Sequence, residues 1–208
     1  MNGRFISIEG GEGAGKSTVI AAIRDVLVAH GFEVVLTREP GGTPAGEAIR
    51  QLLLDPAFKL AAESELLLMF SARAQLVREL IRPALERGAM VVSDRFTDAS
   101  FAYQGGGRGL DMGRIAELER WAAGRKPDLT FLLDVGVSEG LARARSRGGE
   151  PDRIERERED FFERVRAVYL ARAAAEPARF RIVDAAQPVD AVVARVTDAL
   201  RDWIEGVR

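Results

Sequence analysis

Apolar runs of strand length recur along the chain at residues 5–8, 34–36, 90–92, 129–133 and 180–183, interrupted only by Ser7, Thr130 and Arg181. Runs this rich in apolar residues suit strands covered on both faces. Segments of helical period lie between them, so the pattern predicts an α/β protein on a parallel sheet of about five strands with helices on both faces. Val19, Ile20, Ile23, Val26 and Leu27 share one helix face, and Gly31 stands where that helix would stop.

A second helix is predicted from residue 62 to about residue 85. Its apolar stripe, Leu66, Met69, Phe70, Val77 and Leu80, contains Arg73, while Ser71, Gln75, Arg78, Glu79 and Arg82 fall opposite. An arginine on such a stripe is costly unless its guanidinium meets an acceptor, either a protein carboxylate or a ligand. Residues 145–163 are the least apolar stretch, with both charge signs and Gly148, Gly149 and Pro151 interrupting. That composition predicts a short mobile lid, roughly residues 143–155, followed by a solvated helix.

Composition narrows the function. The 208 residues, 47% of them hydrophobic, suffice for one well-buried core and are read as a single domain. With 30 basic and 32 acidic residues the net charge is -2, which argues against a nucleic-acid-coating surface or a polybasic membrane anchor. There is no cysteine, hence no disulfide or thiolate metal site, and no apolar run approaches the ~18 residues of a membrane span. A cytoplasmic protein is the expectation. The single histidine, His30, falls at the end of the first helix, where a capping role outranks catalysis.

The chemistry starts in IEGGEGAGKST, residues 8–18. Gly10, Gly15, Lys16 and Ser17 satisfy G-x-x-x-x-G-K-[ST] between a predicted strand and a predicted helix, the context the motif requires. Such a loop turns its N–H groups toward phosphate oxygens at the positive end of the helix. Gly10, Gly11, Glu12, Gly13, Ala14, Gly15, Lys16, Ser17 and Thr18 are therefore the expected ATP-binding residues. Lys16 would reach the β and γ phosphates, and the Ser17 hydroxyl would ligate Mg²⁺. No guanine-reading N-K-x-D stretch occurs, which leaves phosphoryl transfer or ATP hydrolysis rather than a GTP switch.

Acceptor chemistry is expected beyond the carboxyl ends of the strands. Asp94 and Arg95 end one apolar run, placed to hold Mg²⁺ and a phosphate respectively; Asp134 ends another, and spacing alone does not choose between the two aspartates. In FTDASFAYQGGGRG, Gln104 carries an amide that donates and accepts together, as a pyrimidine edge demands. Within the predicted lid, Arg143 and Arg147 share a helix face, and the glycines and proline between Arg147 and Arg153 would let those two close over a triphosphate, neutralise it and exclude water. A monophosphate acceptor is already largely ionised at neutral pH, so the lack of a histidine base favours it over a hydroxyl acceptor.

Together IEGGEGAGKST, TREPGGT, FSARAQ, SDR, AYQGGGRG, the arginine lid with DRIE, and DAAQP resemble the bacterial thymidylate kinase family. The resemblance implies a P-loop NTPase fold and transfer of the γ-phosphoryl group of ATP to dTMP, with Mg²⁺, in a homodimer. It implies that Glu12 holds the acceptor's 3′-hydroxyl, that Arg38 and Arg95 orient its phosphate, and that Phe70 stacks on thymine. Arg73 would contact the base O4, Ser100 and Gln104 would line the base site, and Tyr103 would crowd a ribose 2′-hydroxyl. Lys16, Arg95, Arg147 and Arg153 become the catalytic group, while Arg143 and Gln187 belong to the ATP side. Phe96 and Thr97 after SDR, and Ser100, depart from the commoner family residues. A kinase for another monophosphate or a deoxynucleoside, and a regulatory ATPase, are the competing readings. The acceptor-side residues discriminate, because a switch protein has no use for a second nucleotide pocket.

Overall fold

The computed structural model describes residues 3–146, 148 and 150–207. The strands β1 (Arg4–Gly10), β2 (Val34–Arg38), β3 (Met90–Asp94), β4 (Leu129–Asp134) and β5 (Phe180–Asp184) form one parallel sheet in the order β2-β3-β1-β4-β5. Each contains one of the apolar runs and continues past it into polar residues at its carboxyl end. The strand ends Gly10, Arg38, Asp94, Asp134 and Asp184 thus line up along one sheet edge, where an open α/β fold binds ligands.

Neighbouring β1 residues point to opposite faces. Ile6 and Ile8 pack with Val19, Ile23 and Leu27 of α1 (Lys16–Ala29) and Val192, Val196 and Leu200 of the last helix, Val189–Val207. Phe5 faces the other side, against Leu76, Ile81, Leu85 and Phe96. Fully burying each such aliphatic or aromatic side chain contributes about 1.5–3 kcal/mol. α1 stops as expected: Gly31 has φ 83°, and the His30 ring nitrogen Nδ1 lies 2.8 Å from the Val26 carbonyl oxygen, a capping contact.

After α2 (Pro44–Leu54), the single helix expected over residues 62–85 is three pieces. They are α3 (Ala62–Leu76), a π-helical turn Val77–Ile81, and α4 (Arg82–Glu86). Pro83 is the cause, since it offers no N–H and its ring crowds the preceding turn; Arg82 N–H reaches back to the Val77 carbonyl instead.

Beyond β3, α5 (Thr97–Ser100) runs into a second π-helical stretch, Phe101–Gly107, which carries Tyr103 and Gln104. Its glycines permit close approach of a later helix: a Cβ on Gly106 would lie 2.7 Å from Val168 Cγ2, and one on Gly107 would collide with the Phe161 ring. α6 (Met112–Leu118) and α7 (Val137–Ser146) follow. Next, α8 (Glu159–Ala175) corrects the expectation of a solvated helix, because Phe161, Phe162, Val165 and Tyr169 are buried. The charged stretch masks this apolar face, which begins only at its end. The Val189–Val207 helix, α9, closes the chain.

Candidate active site

One cleft of about 1090 Å³ opens over the carboxyl ends of the strands. On one wall Gly13 and Gly15 hold positive φ angles, 69° and 86°, which turn residues 12–18 around the amino end of α1. The Lys16 ammonium lies within the loop, 3.2 Å from the Gly11 carbonyl oxygen and 3.5 Å from that of Gly10. Burial, then the Arg95 guanidinium, holds its pKa below the ordinary lysine value.

The opposite wall comes from several elements. Arg38, Arg50, Arg73, Asp94, Arg95, Ser100, Tyr103 and Gln104 all line it. Arg95 is the sole non-glycine residue with positive φ, 69°, among the described residues, a conformation that needs enforcement. Phe96 N–H donates to Glu9 at 2.7 Å, and Arg95 Nη1 donates to the Gly10 carbonyl at 2.8 Å and to Tyr169 Oη at 3.2 Å. Arg95 Nη2 and Tyr103 Oη both donate to Glu12 Oε1, each at 2.9 Å. The Glu12 carboxylate thereby ties the phosphate loop to the arginine wall.

Arg73 is 2% exposed and has a protein carboxylate for its partner. Its Nε donates to Glu39 Oε2 at 2.8 Å, Nη1 to Ser100 Oγ at 3.0 Å and Nη2 to the Phe96 carbonyl at 3.2 Å. The two alternatives of the sequence are not exclusive, because the ion-paired guanidinium also lines the cleft. Arg38 pairs with Glu47 at 3.0 Å at the mouth, and Arg50 donates to the Pro40 carbonyl. Burial, then Arg38, lowers the Arg50 pKa, the mark of two cations facing the same space.

The structure separates the two aspartates that spacing left equal. Asp134 receives Arg166 through both oxygens, at 2.7 and 2.9 Å. Asp94 lines the cleft with Ser17, and its Oδ1 is buried without a hydrogen-bond partner. A buried carboxylate oxygen without a donor, together with a hydroxyl, suits a hard divalent cation that keeps phosphate and water ligands.

Some expected residues lie elsewhere. Phe70 is 2% exposed behind the wall, with the Arg73 guanidinium 4.4 Å from its ring centre. Gln187 is outside the cleft and donates to Asp184, whereas Arg143 lines the cleft and holds the same loop by donating to the Ala185 and Ala186 carbonyls. Arg153 turns from the cleft to donate to Glu65 at 2.7 Å and to the Leu53 carbonyl. Arg147 lies outside the described residues. Glu9, Glu39, Arg50, Glu65 and Tyr169 were missed in the sequence. Only Glu65 carried a local signal, one helical turn ahead of Met69 on the apolar stripe.

Fold and cleft define a P-loop phosphotransferase with room for a second, anionic substrate beside the triphosphate loop. A family model described as Thymidylate kinase matches residues 8–196. A thymidylate kinase of Chromohalobacter salexigens is 59% identical over 208 residues, 97% of this chain and 98% of that one. One of Ectopseudomonas mendocina is 52% identical over the full length of both chains. The crystal structure of thymidylate kinase from Ehrlichia chaffeensis superposes with a TM-score of 0.79 at 31% identity, covering 97% of this chain and 99% of that one. The chain belongs to the thymidylate kinase family, and it is a nucleoside monophosphate kinase.

Proposed function

We propose that the chain, acting as one catalytic domain, transfers the γ-phosphoryl group of ATP to dTMP, giving dTDP and ADP. The observation that carries the reading is one cleft with the phosphate loop on one wall and a guanidinium-rich wall with a base-reading amide opposite. Residues 10–18 hold the donor phosphates and Lys16 follows the charge that moves toward the leaving oxygen. Arg38, Arg50 and Arg95 face the acceptor phosphate, while Arg73, Ser100 and Gln104 face the base. Glu12 and Tyr103 lie on the ribose side, and Phe70 supports the base through Arg73. Ser17 and Asp94 would hold Mg²⁺, which supplies charge neutralisation at the β and γ phosphoryl oxygens when bound with ATP. The acceptor dianion needs no protein base, so the side chains work by positioning and neutralisation.

Arg143 shapes the adenine-side loop, and Arg147 and Arg153 belong to the lid. No described helix is long and apolar enough to cross a membrane, and a cytoplasmic homodimer is the setting proposed. The test is ADP release with ATP and Mg²⁺ against dTMP, thymidine, each common nucleoside monophosphate and no acceptor. Turnover that requires dTMP is expected. Release that ignores every acceptor would leave an ATPase and remove the reading.

A further inference from the structure

Glu65 lies on α3, 1% exposed, and three donor groups, from Gln104, Arg108 and Arg153, hydrogen-bond to it. Gln104 Nε2 donates to its Oε1 at 2.9 Å, and Arg153 Nη2 to its Oε2 at 2.7 Å. Arg108 Nε sits between both oxygens, 3.3 and 3.2 Å away, and Arg108 Nη2 is 3.1 Å from Oε2. Arg108 is itself held by Glu157. Burial alone would raise the pKa of Glu65, yet the bonds from Gln104, Arg108 and Arg153 bring it below the ordinary carboxylate value.

An ionised carboxylate only accepts hydrogen bonds. It therefore fixes which end of the Gln104 amide faces it: the reversed amide would set Oε1 against a carboxylate oxygen in a buried site. No hydrogen bond from the described residues reaches Gln104 Oε1, and Gln104 lines the cleft. We infer that Glu65 is a positioning residue that sets the polarity of the base-reading amide, so that the acceptor pocket presents a carbonyl oxygen and selects bases carrying a ring N–H. Thymine and uracil have that N–H at N3, whereas cytosine has an unprotonated acceptor nitrogen there. The inference rests on the proposed placement of the acceptor base beside Gln104.

Glu65→Gln isolates this polarity, because it keeps the shape. The two arginines claim the single oxygen of the new amide, which leaves its NH₂ group toward Gln104. Gln104 then reverses and turns its own NH₂ group into the pocket. Preference for dTMP over dCMP, as a ratio of kcat/KM or of Kd by calorimetry, is expected to fall roughly tenfold or more. The ratio of dTMP to dUMP, which share the N3–H, is expected to stay within about threefold of the parent. Loss of both ratios together would mean general loosening and would overturn the inference, as would retention of the dTMP to dCMP ratio.

A reciprocal variant, Glu65→Gln with Gln104→Glu, keeps one amide and one carboxylate in contact and restores an acceptor oxygen to the pocket. It is expected to recover the dTMP preference, and it carries the test by itself if Glu65→Gln does not fold by circular dichroism. A folded reciprocal variant without that preference would overturn the inference. Gln104→Ala separates the two levels: if it leaves base preference intact, the base-site placement falls and this inference with it. If Gln104→Ala abolishes preference while Glu65→Gln does not, only the role of Glu65 falls.

Discussion

The two walls proposed to hold phosphate are built by different means. The proposed donor wall is one contiguous loop with one lysine, whose ammonium, among the described residues, hydrogen-bonds to loop carbonyls only. The acceptor wall is assembled from β2, β3, α2, α3, α5 and the 101–107 turn, and three of its four arginines are already paired: Arg38 with Glu47, Arg73 with Glu39, Arg95 with Glu12. A loop of main-chain donors needs no counter-charge and is rebuilt wherever the chain folds that way. Guanidinium groups in a partly buried wall need carboxylates to hold them in place before substrate arrives. The donor wall can therefore lose its side chain without injury to the fold, and the acceptor wall cannot.

Lys16→Ala is the sharpest way to break that contrast. Transfer is expected to fall by on the order of a thousandfold or more, while the urea midpoint stays near that of the parent because no acid among the described residues loses a hydrogen-bonded partner. A stability loss as large as the activity loss would place Lys16 with the acceptor arginines after all. Steady-state kcat and a denaturant curve on the same preparation give both readings.

Arg73→Ala is expected to behave in the opposite way. Glu39 is 6% exposed, its Oε1 already lacks a partner, and burial raises its pKa against the pull of Arg73. Removing Arg73 leaves an orphan acid and should cost about 3–5 kcal/mol of stability, with a raised KM for dTMP. The double variant Arg73→Ala with Glu39→Ala should recover much of the stability and none of the KM. Recovery of both would make Arg73 a structural residue alone.

The same contrast explains what could be read in the residues themselves. Every strand and the phosphate loop were legible, because apolar runs of strand length and G-x-x-x-x-G-K-S are local signals. Arg73 was legible as a charge on an apolar stripe, but Glu39, 34 residues away, was not, since pairing across elements leaves no mark in spacing. The break at Val77–Ile81 followed from Pro83, a residue in plain view whose effect is felt one turn earlier. Asp94 and Asp134 looked alike until Arg166, on a helix whose apolar face was hidden behind a charged stretch, occupied one of them.

Glu9 lies beneath both walls, at the β1 end, and offers a pH test of how Arg95 is held. Burial, then Asp98, raises its pKa from 4.5 to about 8, against Arg95, Tyr169 and the Phe96 N–H. Since the folded value is the higher one, the neutral acid favours the fold. That contribution is full below 4.5 and is lost as pH rises through about 8. Unfolding free energies from urea titrations across that window should fall by up to about 1.4 kcal/mol per pH unit in the parent and much less in Glu9→Gln, which keeps an acceptor for the Phe96 N–H. A parallel fall in the two proteins would assign the slope to other groups.

The smallest effect separates the walls at their far end. Arg143 spans α7 to the loop after β5 by donating to the Ala185 and Ala186 carbonyls, with Glu139 one turn behind it at 2.5 Å. Glu139 is exposed and Arg143 half-buried, so Arg143→Ala should cost at most about 1 kcal/mol of stability. Loss of the two carbonyl contacts frees the 184–188 loop, and the KM for ATP is expected to rise by about three- to tenfold. The KM for dTMP should not move, because the acceptor arginines are held by their own carboxylates and not through α7. If both KM values rise together, α7 and the acceptor wall move as one body, and the independence of that wall from α7 is wrong.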